Sequence, residues 1–363
     1  MTTDPTLAEA AAVRWEAIVV GAGIGGTVAA LGLVRAGRRV LLVERARFPR
    51  QKVCGGCLNP RALAALDAVG VGDAPGELGA SSVKHFSLLH GGRRRLTVPL
   101  RSGGVAVTRG ALDALLWERA AAAGVARLGG ATVRKTASEA DARALRVTAA
   151  GEEATLRADV VIGAGGLSCP IAREIGTVRV APTSKVGCGI VLDSSQVGEL
   201  PRETVLMAVG RGGYVGLVAA EDGYWILAAA LDPRLLAGTR PAQACAAILA
   251  SAGLPLDLPA EGWSTCPALM RQADDVVAER ALLVGDSAGY ARALAAGWSP
   301  AAAAAYARFH ARDVRGRQRP VQAAAWCVAR PAALAVAASV PFIGPTLGAA
   351  AQRWIHAEAV PGS

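Results

Sequence analysis

Gly21-Ala22-Gly23-Ile24-Gly25-Gly26 follows an apolar run at residues 17–20 and opens a small-residue helical pattern at residues 27–36. Strand, glycine turn and helix in that order bind a dinucleotide pyrophosphate. Gly21 permits the tight turn, Gly23 lets the backbone approach phosphate, and Gly26 lets helix and strand pack closely. The anion then rests on the N–H groups that open the helix. A second apolar run, residues 40–43, ends at Glu44, about 20 residues beyond the glycines, where a carboxylate accepts ribose hydroxyls. Gly37, between the two, reads as the helix stop. A glycine pattern alone is common; with both apolar runs, the stop and Glu44 it reads as a nucleotide site.

The 363 residues suffice for two ordinary domains or one large α/β unit. The net charge of +10 is almost all arginine, lysine being confined to Lys52, Lys84, Lys135 and Lys185. These arginines are spread along the chain without interleaved aromatics, so nucleic acid is not an expected partner. Residues 1–15 carry acids and no apolar signal core, and the seven cysteines have no framework spacing. Both point to a reducing, cytoplasmic setting.

Further along, residues 49–56 read as a loop and 60–66 as a helix, and residues 83–98 alternate apolar and basic as strands do. A helix is expected over 110–123, started at Thr108, carrying Leu112, Leu115, Leu116 and Ala120 on one face and stopped by Gly124. Strands are expected at 144–148, 156–162 and 281–284, and a meander over 186–231 is the natural substrate-facing sheet. The alanine-rich remainder reads as helical.

Glu44-Arg45, Arg47-Phe48-Pro49-Arg50, Lys52, Cys54-Gly55-Gly56 and Pro60-Arg61-Ala62-Leu63 resemble the geranylgeranyl reductase-like family of FAD-dependent oxidoreductases, relatives of the hydroxybenzoate hydroxylase type. Three further blocks resemble that family in order: Arg109 with Leu112, Asp113 and Leu116; residues 159–166; and residues 282–289, the Gly285-Asp286 motif. The resemblance implies FAD as cofactor, NAD(P)H as reductant and a Rossmann-like FAD-binding domain interleaved with a β-sheet substrate domain and a helical C-terminal tail. Its FAD-binding segments are 1–75, 105–175 and 270–315, its substrate segments 76–104 and 176–269, and its tail 316–363. The implied cofactor contacts are Gly21, Gly23, Gly25, Gly26, Glu44, Arg45, Cys54, Gly55, Gly56, Arg109, Gly165, Gly285, Asp286 and Gly289, with Tyr214 toward substrate. Arg109 lies near the diphosphate and ribityl chain in this reading, Asp286 on the ribityl part and Cys54 on the substrate side of the ring. Their charges suit FAD, which carries two phosphates between hydroxyl-rich ends. Asp286 also suits a helix N-cap, and Arg109 a solvated helix start.

Three departures qualify the resemblance. Ala164-Gly165-Gly166 stands where relatives carry Ala-Asp-Gly, so a carboxylate is missing. Tyr214-Val215-Gly216-Leu217-Val218 replaces the Tyr-x-Trp-x-Phe-Pro stretch of prenyl reductases, which brings the chain closer to members that accompany type III polyketide synthases. After Gly289 the chain passes to Gly297-Trp298-Ser299-Pro300 without the usual Pro-x-x-Gly-x-Gly turn, whose helix N-terminus stabilises reduced flavin.

Other chemistry is thin. Cys54 and Cys57 have redox-pair spacing, but the double glycine between them matches the family's flavin loop. His85, His90, His310 and His356 have no metal-ligand spacing. Residues 332–351 carry no charge and follow a run of arginines, which suits either a membrane-surface helix or two short helices capping the substrate domain; Pro341 and Pro345 argue against a span. The expected activity is reduction of a double bond in a hydrophobic isoprenoid, polyketide or aromatic lipid. Aromatic hydroxylation and a degenerate flavoprotein with impaired turnover are the alternatives.

Overall fold

A computed structural model describes residues 4–176, 178–273 and 275–285. Asp286, Gly289, the altered stretch after them and the expected helical tail 316–363 lie outside the described residues. Two sheets organise the rest. In the first, Arg14–Val20 is central, paired in parallel with Val40–Glu44 on one side and Glu152–Gly163 on the other. Ala126–Gly129 and Ala281–Leu283 extend the parallel set outward. Every residue of Val40–Glu44 is buried, as expected for a parallel strand covered on both faces.

One face of this sheet, with Val19, Leu42 and Ile162, packs on the helices Ile24–Arg35 and Arg109–Ala122 through Leu31, Leu33, Leu112 and Leu116. Each such leucine stabilises the fold by about 1.5–3 kcal/mol. The other face, with Ile18, Leu41 and Val161, is covered by the helices Leu7–Ala11 and Pro170–Ile175 and by an antiparallel meander of Ala131–Ser138, Arg143–Ala149 and the start of Glu152–Gly163. The helix Arg109–Ala122 begins where Thr108 Oγ1 accepts the Ala111 N–H at 3.4 Å, and ends before Gly124. Leu115, expected on its buried face, is only half-buried; Trp117 takes that role.

The second sheet runs in the order Ser264–Ala268, Val186–Asp193, Tyr224–Leu231, Gly213–Ala219, Thr204–Gly210, Ser81–His90, Arg93–Ala106, Cys57–Leu58. Val215, Leu217, Trp225 and Leu227 point to one side, onto the helix Pro241–Ser251 with its Ile248 and Leu249. Alternation sends Tyr214, Gly216, Ile226 and Ala228 to the other side. That side meets the loop 50–57: Val53 lies over Gly187 and Gly189, and Ile226 closes on Gly56. Among the described residues no helix is long and apolar enough to cross a membrane.

Close approach decides the first sheet's turn. Gly21 has φ +108°, and a side-chain carbon there would lie 2.7 Å from the Ala164 carbonyl. A carbon on Gly26 would strike the Gly21 carbonyl oxygen and come within 2.9 Å of Ala164 Cβ. Gly37, φ +76°, ends the helix by donating to the Val34 carbonyl and has nothing within 4 Å of its missing side chain. Gly26→Ala is therefore expected to cost on the order of 3 kcal/mol or to prevent folding, because rigid backbone must move. Gly37→Ala should cost only the left-handed penalty, about 1–2 kcal/mol. Urea denaturation of the two variants side by side checks this; equal losses would contradict it.

Candidate functional site: a cationic cradle at a helix N-terminus

The parallel strands end together at Val20, Glu44, Gly163 and Leu283, so the turns after them share one edge of the sheet. In open α/β sheets that edge is where ligands bind. Gly21 donates to the Val43 carbonyl at 2.8 Å and Ala164 to the Val20 carbonyl at 2.8 Å, which fixes the turns against each other. Gly25 faces Gly285, whose carbonyl oxygen would be 2.9 Å from a side-chain carbon on Gly25. Gly165 backs onto Cys169.

Gly23 is the N-cap of the helix Ile24–Arg35 and supplies no side-chain cap to its opening N–H groups. Over this uncapped end stand three cations. A side-chain carbon on Gly23 would lie 3.3 Å from Arg109 Nη2, 3.5 Å from Lys52 Nζ and 3.8 Å from Arg50 Nη2. Lys52 Nζ is also 3.5 Å from the corresponding position on Gly166, so it bridges the first and second glycine elements. Cations at the positive end of a helix dipole repel it, and an anion between them reverses the sign of that interaction.

Two carboxylates hold the two arginines in place. Asp113 has a side chain with no exposure and accepts from Arg109 Nε at 3.0 Å and Nη2 at 2.7 Å, one helical turn apart. It also lies 3.3 Å from Arg50 Nη1. Burial works against the Arg109 charge, but Asp113 and Cys54 outweigh it and raise the guanidinium above its ordinary value. Arg50 lies over the Phe48 ring at 5.2 Å, and Phe48 packs on Trp117 with ring centroids 5.0 Å apart. Its Nε is buried with no hydrogen-bond partner among the described residues.

Glu44 closes the adenosine end. Its carboxylate accepts the Ala22 N–H at 2.8 Å and the Ala46 N–H at 2.9 Å, and stands 3.7 Å from Arg50 Nη2. Each oxygen uses one lone pair in these bonds and keeps capacity for a ribose hydroxyl. Arg45, the next residue, is exposed.

The Cys54 loop joins this edge to the second sheet. Gly55 has nothing within 4 Å of its missing side chain, whereas Gly56 is packed against Val107 O at 2.9 Å. The two thiols bond to the same peptide: Cys54 Sγ accepts the Gly56 N–H at 3.5 Å, and Cys57 donates to the Gly55 carbonyl at 3.4 Å. Crowding by surrounding protein, with Cys54 beside it, pushes the Cys57 thiol up to about 12. Cys57 nonetheless keeps solvent-accessible area. Tyr214, half-buried on the second sheet, has its hydroxyl raised by burial.

The structure thus gathers Gly21, Gly23, Gly25, Gly26, Glu44, Gly165 and Gly285 at one edge and brings Arg109 and the Cys54 loop onto it. Arg50, Lys52 and Asp113 carry no role in the sequence reading beyond marking a resemblance. Two signals were there: two cations two residues apart in the loop after Glu44, and a carboxylate four residues after Arg109.

Over 168 residues the chain is 35% identical to menaquinone reductase of Mycobacterium tuberculosis (strain CDC 1551 / Oshkosh), a match covering 44% of this chain and 40% of that protein. It is 32% identical over 169 residues to geranylgeranyl diphosphate reductase of Rhodobacter capsulatus, covering 46% of this chain and 41% of the relative. The chain spans about two-fifths of the length of the curated relatives it matches. The crystal structure of p-nitrophenol 4-monooxygenase PnpA from Pseudomonas putida DLL-E4 shares the fold, with a TM-score of 0.73 at 16% identity over 94% of this chain and 98% of that one. The family model described as "FAD binding domain" matches residues 14–296, reaching from the first parallel strand past the last, and the chain belongs to that FAD-binding family.

Proposed function

We propose that the protein is an FAD-dependent oxidoreductase that takes electrons from NAD(P)H and reduces a hydrophobic substrate held beside the Cys54 loop. The observation that carries this reading is the convergence of Arg50, Lys52 and Arg109 on the uncapped helix start at Gly23, with Glu44 beside it. That arrangement matches a pyrophosphate followed by a ribose, and the close-packed glycines leave the backbone bare where phosphate must approach. FAD, when bound, supplies the hydride chemistry that no side chain here supplies.

The chain's own residues bind, orient and exclude water. Arg109 and Lys52 neutralise phosphate charge, and Asp113 keeps Arg109 charged and aimed. Glu44 accepts from the adenosine ribose. The space over Gly55, with nothing within 4 Å of its missing side chain, admits a flat ring. Tyr214 Oη, which burial raises further above its ordinary value, is protonated at neutral pH like any tyrosine and serves as a hydrogen-bond donor toward substrate. Reduction is preferred over hydroxylation because the two relatives aligned over 168 and 169 residues are named as reductases, whereas a relative named as a monooxygenase, 33% identical, aligns over 82 residues.

Purified protein should be yellow, or take up added FAD, and should oxidise NADPH without air when a quinone or prenyl lipid is present. Protein that stays colourless in excess FAD would overturn the reading. NADPH oxidation that requires dioxygen and consumes it in step with substrate would replace reduction by hydroxylation.

Lys52→Ala and Arg109→Ala should each weaken FAD binding by tenfold or more, since a charge-assisted contact contributes roughly 1.5–3 kcal/mol. Both should flatten the salt dependence of binding, measured by quenching of flavin fluorescence. Cys57 should resist alkylation despite its accessible area. With its thiol near 12, its thiolate fraction at pH 8 is on the order of one in ten thousand, and its iodoacetamide rate should climb with pH up to that value. Rapid labelling of Cys57 at pH 8, located by peptide mass spectrometry, would contradict this.

A further inference from the structure

Glu221 is a charged residue buried to 3% exposure, in the hairpin that joins Gly213–Ala219 to Tyr224–Leu231 on the second sheet. Its carboxylate leaves its own sheet to take Thr108. Oε2 accepts the Thr108 N–H at 2.8 Å, and Oε1 accepts the Thr108 hydroxyl in a short hydrogen bond. The hairpin is itself fixed: Ser81 Oγ donates to the Ala220 carbonyl at 2.6 Å, and the Ala220 N–H donates to the Tyr224 carbonyl at 2.8 Å.

Thr108 already caps the helix Arg109–Ala122 by accepting the Ala111 N–H. The helix does not need Glu221 to begin. What Glu221 adds is a fixed position for that helix start relative to the second sheet, together with negative charge at its positive end. Three consecutive residues there grip three different places. Val107 donates to the Gly56 carbonyl at 3.1 Å, Thr108 is held by Glu221, and Arg109 reaches Asp113 and Cys54 beside Gly23.

We infer that Glu221 is a positioning residue for the cofactor: through Thr108 it sets where Arg109 stands over the helix N-terminus at Gly23, and so couples the substrate-facing sheet to FAD affinity. This rests on the FAD reading of the site. A disturbance of the hairpin reaches the cradle through one carboxylate, because Thr108 and Arg109 are adjacent on a helix start that cannot flex independently. Glu221 touches neither cofactor nor substrate in this role.

The test compares FAD dissociation constants, from flavin fluorescence quenching, with thermal midpoints for wild type, Glu221→Ala, Glu221→Gln, Arg109→Ala and the double variant Glu221→Ala/Arg109→Ala, at a temperature where circular dichroism shows each folded. Glu221→Ala should raise the FAD constant about tenfold, the scale of one displaced charge-assisted hydrogen bond. Glu221→Gln should recover most of the loss, since its amide oxygen still accepts the Thr108 N–H. In the Arg109→Ala background, Glu221→Ala should add nothing, because the residue through which it acts is gone. A lowered midpoint with an unchanged FAD constant, or losses that add in the double variant, would overturn the inference. Should Glu221→Ala not fold, Glu221→Asp, one methylene short of Thr108, is judged by the same criteria. Wild-type protein that binds no FAD overturns the reading of the site itself, a result separable from failure of the Glu221 variants alone.

Discussion

Everything at the ligand edge depends on a contact with no spare volume, the packing of Gly26 against the Gly21 carbonyl and Ala164. The end of Arg14–Val20 and the start of Ile24–Arg35, joined by a short turn, meet there the turn after Glu152–Gly163, which is distant in sequence. Backbone on backbone has no rotamers to relieve a clash, so a single methyl group would push the helix N-terminus away from the strand ends. With the helix start fixed, Glu44, Lys52 and Arg109 can converge on it from three other segments.

The second organising effect is electrostatic. Arg50, Lys52 and Arg109 crowd the positive end of a helix, with two nearly inaccessible carboxylates, Asp113 and Glu44, to hold the arginines. Charge gathered this way, in a partly desolvated niche, is costly without an anion, and the cost becomes affinity when one arrives.

Much of the fold was legible because short-range rules dominate it. The glycine turn, the apolar runs at 17–20 and 40–43, the Thr108 helix and the meander over 186–231 follow from local pattern, and the structure places them as expected. The helix Leu7–Ala11, the strands Ala126–Gly129 and Ala131–Ser138 and the helix Pro241–Ser251 were not read, since short or alanine-rich segments carry little periodicity. The site divides in the same way. Gly21, Glu44 and Arg109 lie within motifs, so local sequence exposes them. Arg50 meets Asp113, and Glu221 meets Thr108 across 113 positions, over separations that only folding closes. No spacing rule relates such residues.

The loop 50–57 is anchored at both of its ends to different tasks. Lys52 stands at Gly23 and Gly166, while Val53 and Gly56 seat on the second sheet one to four residues later. The stretch between is too short to absorb a shift of one anchor without moving the other. A substitution that reshapes the loop is therefore felt both at the second sheet and at the cationic cradle over Gly23, which makes the loop pleiotropic. A side chain added on the facing strand Val186–Asp193 is felt there too, because Val53 lies against Gly187 and Gly189.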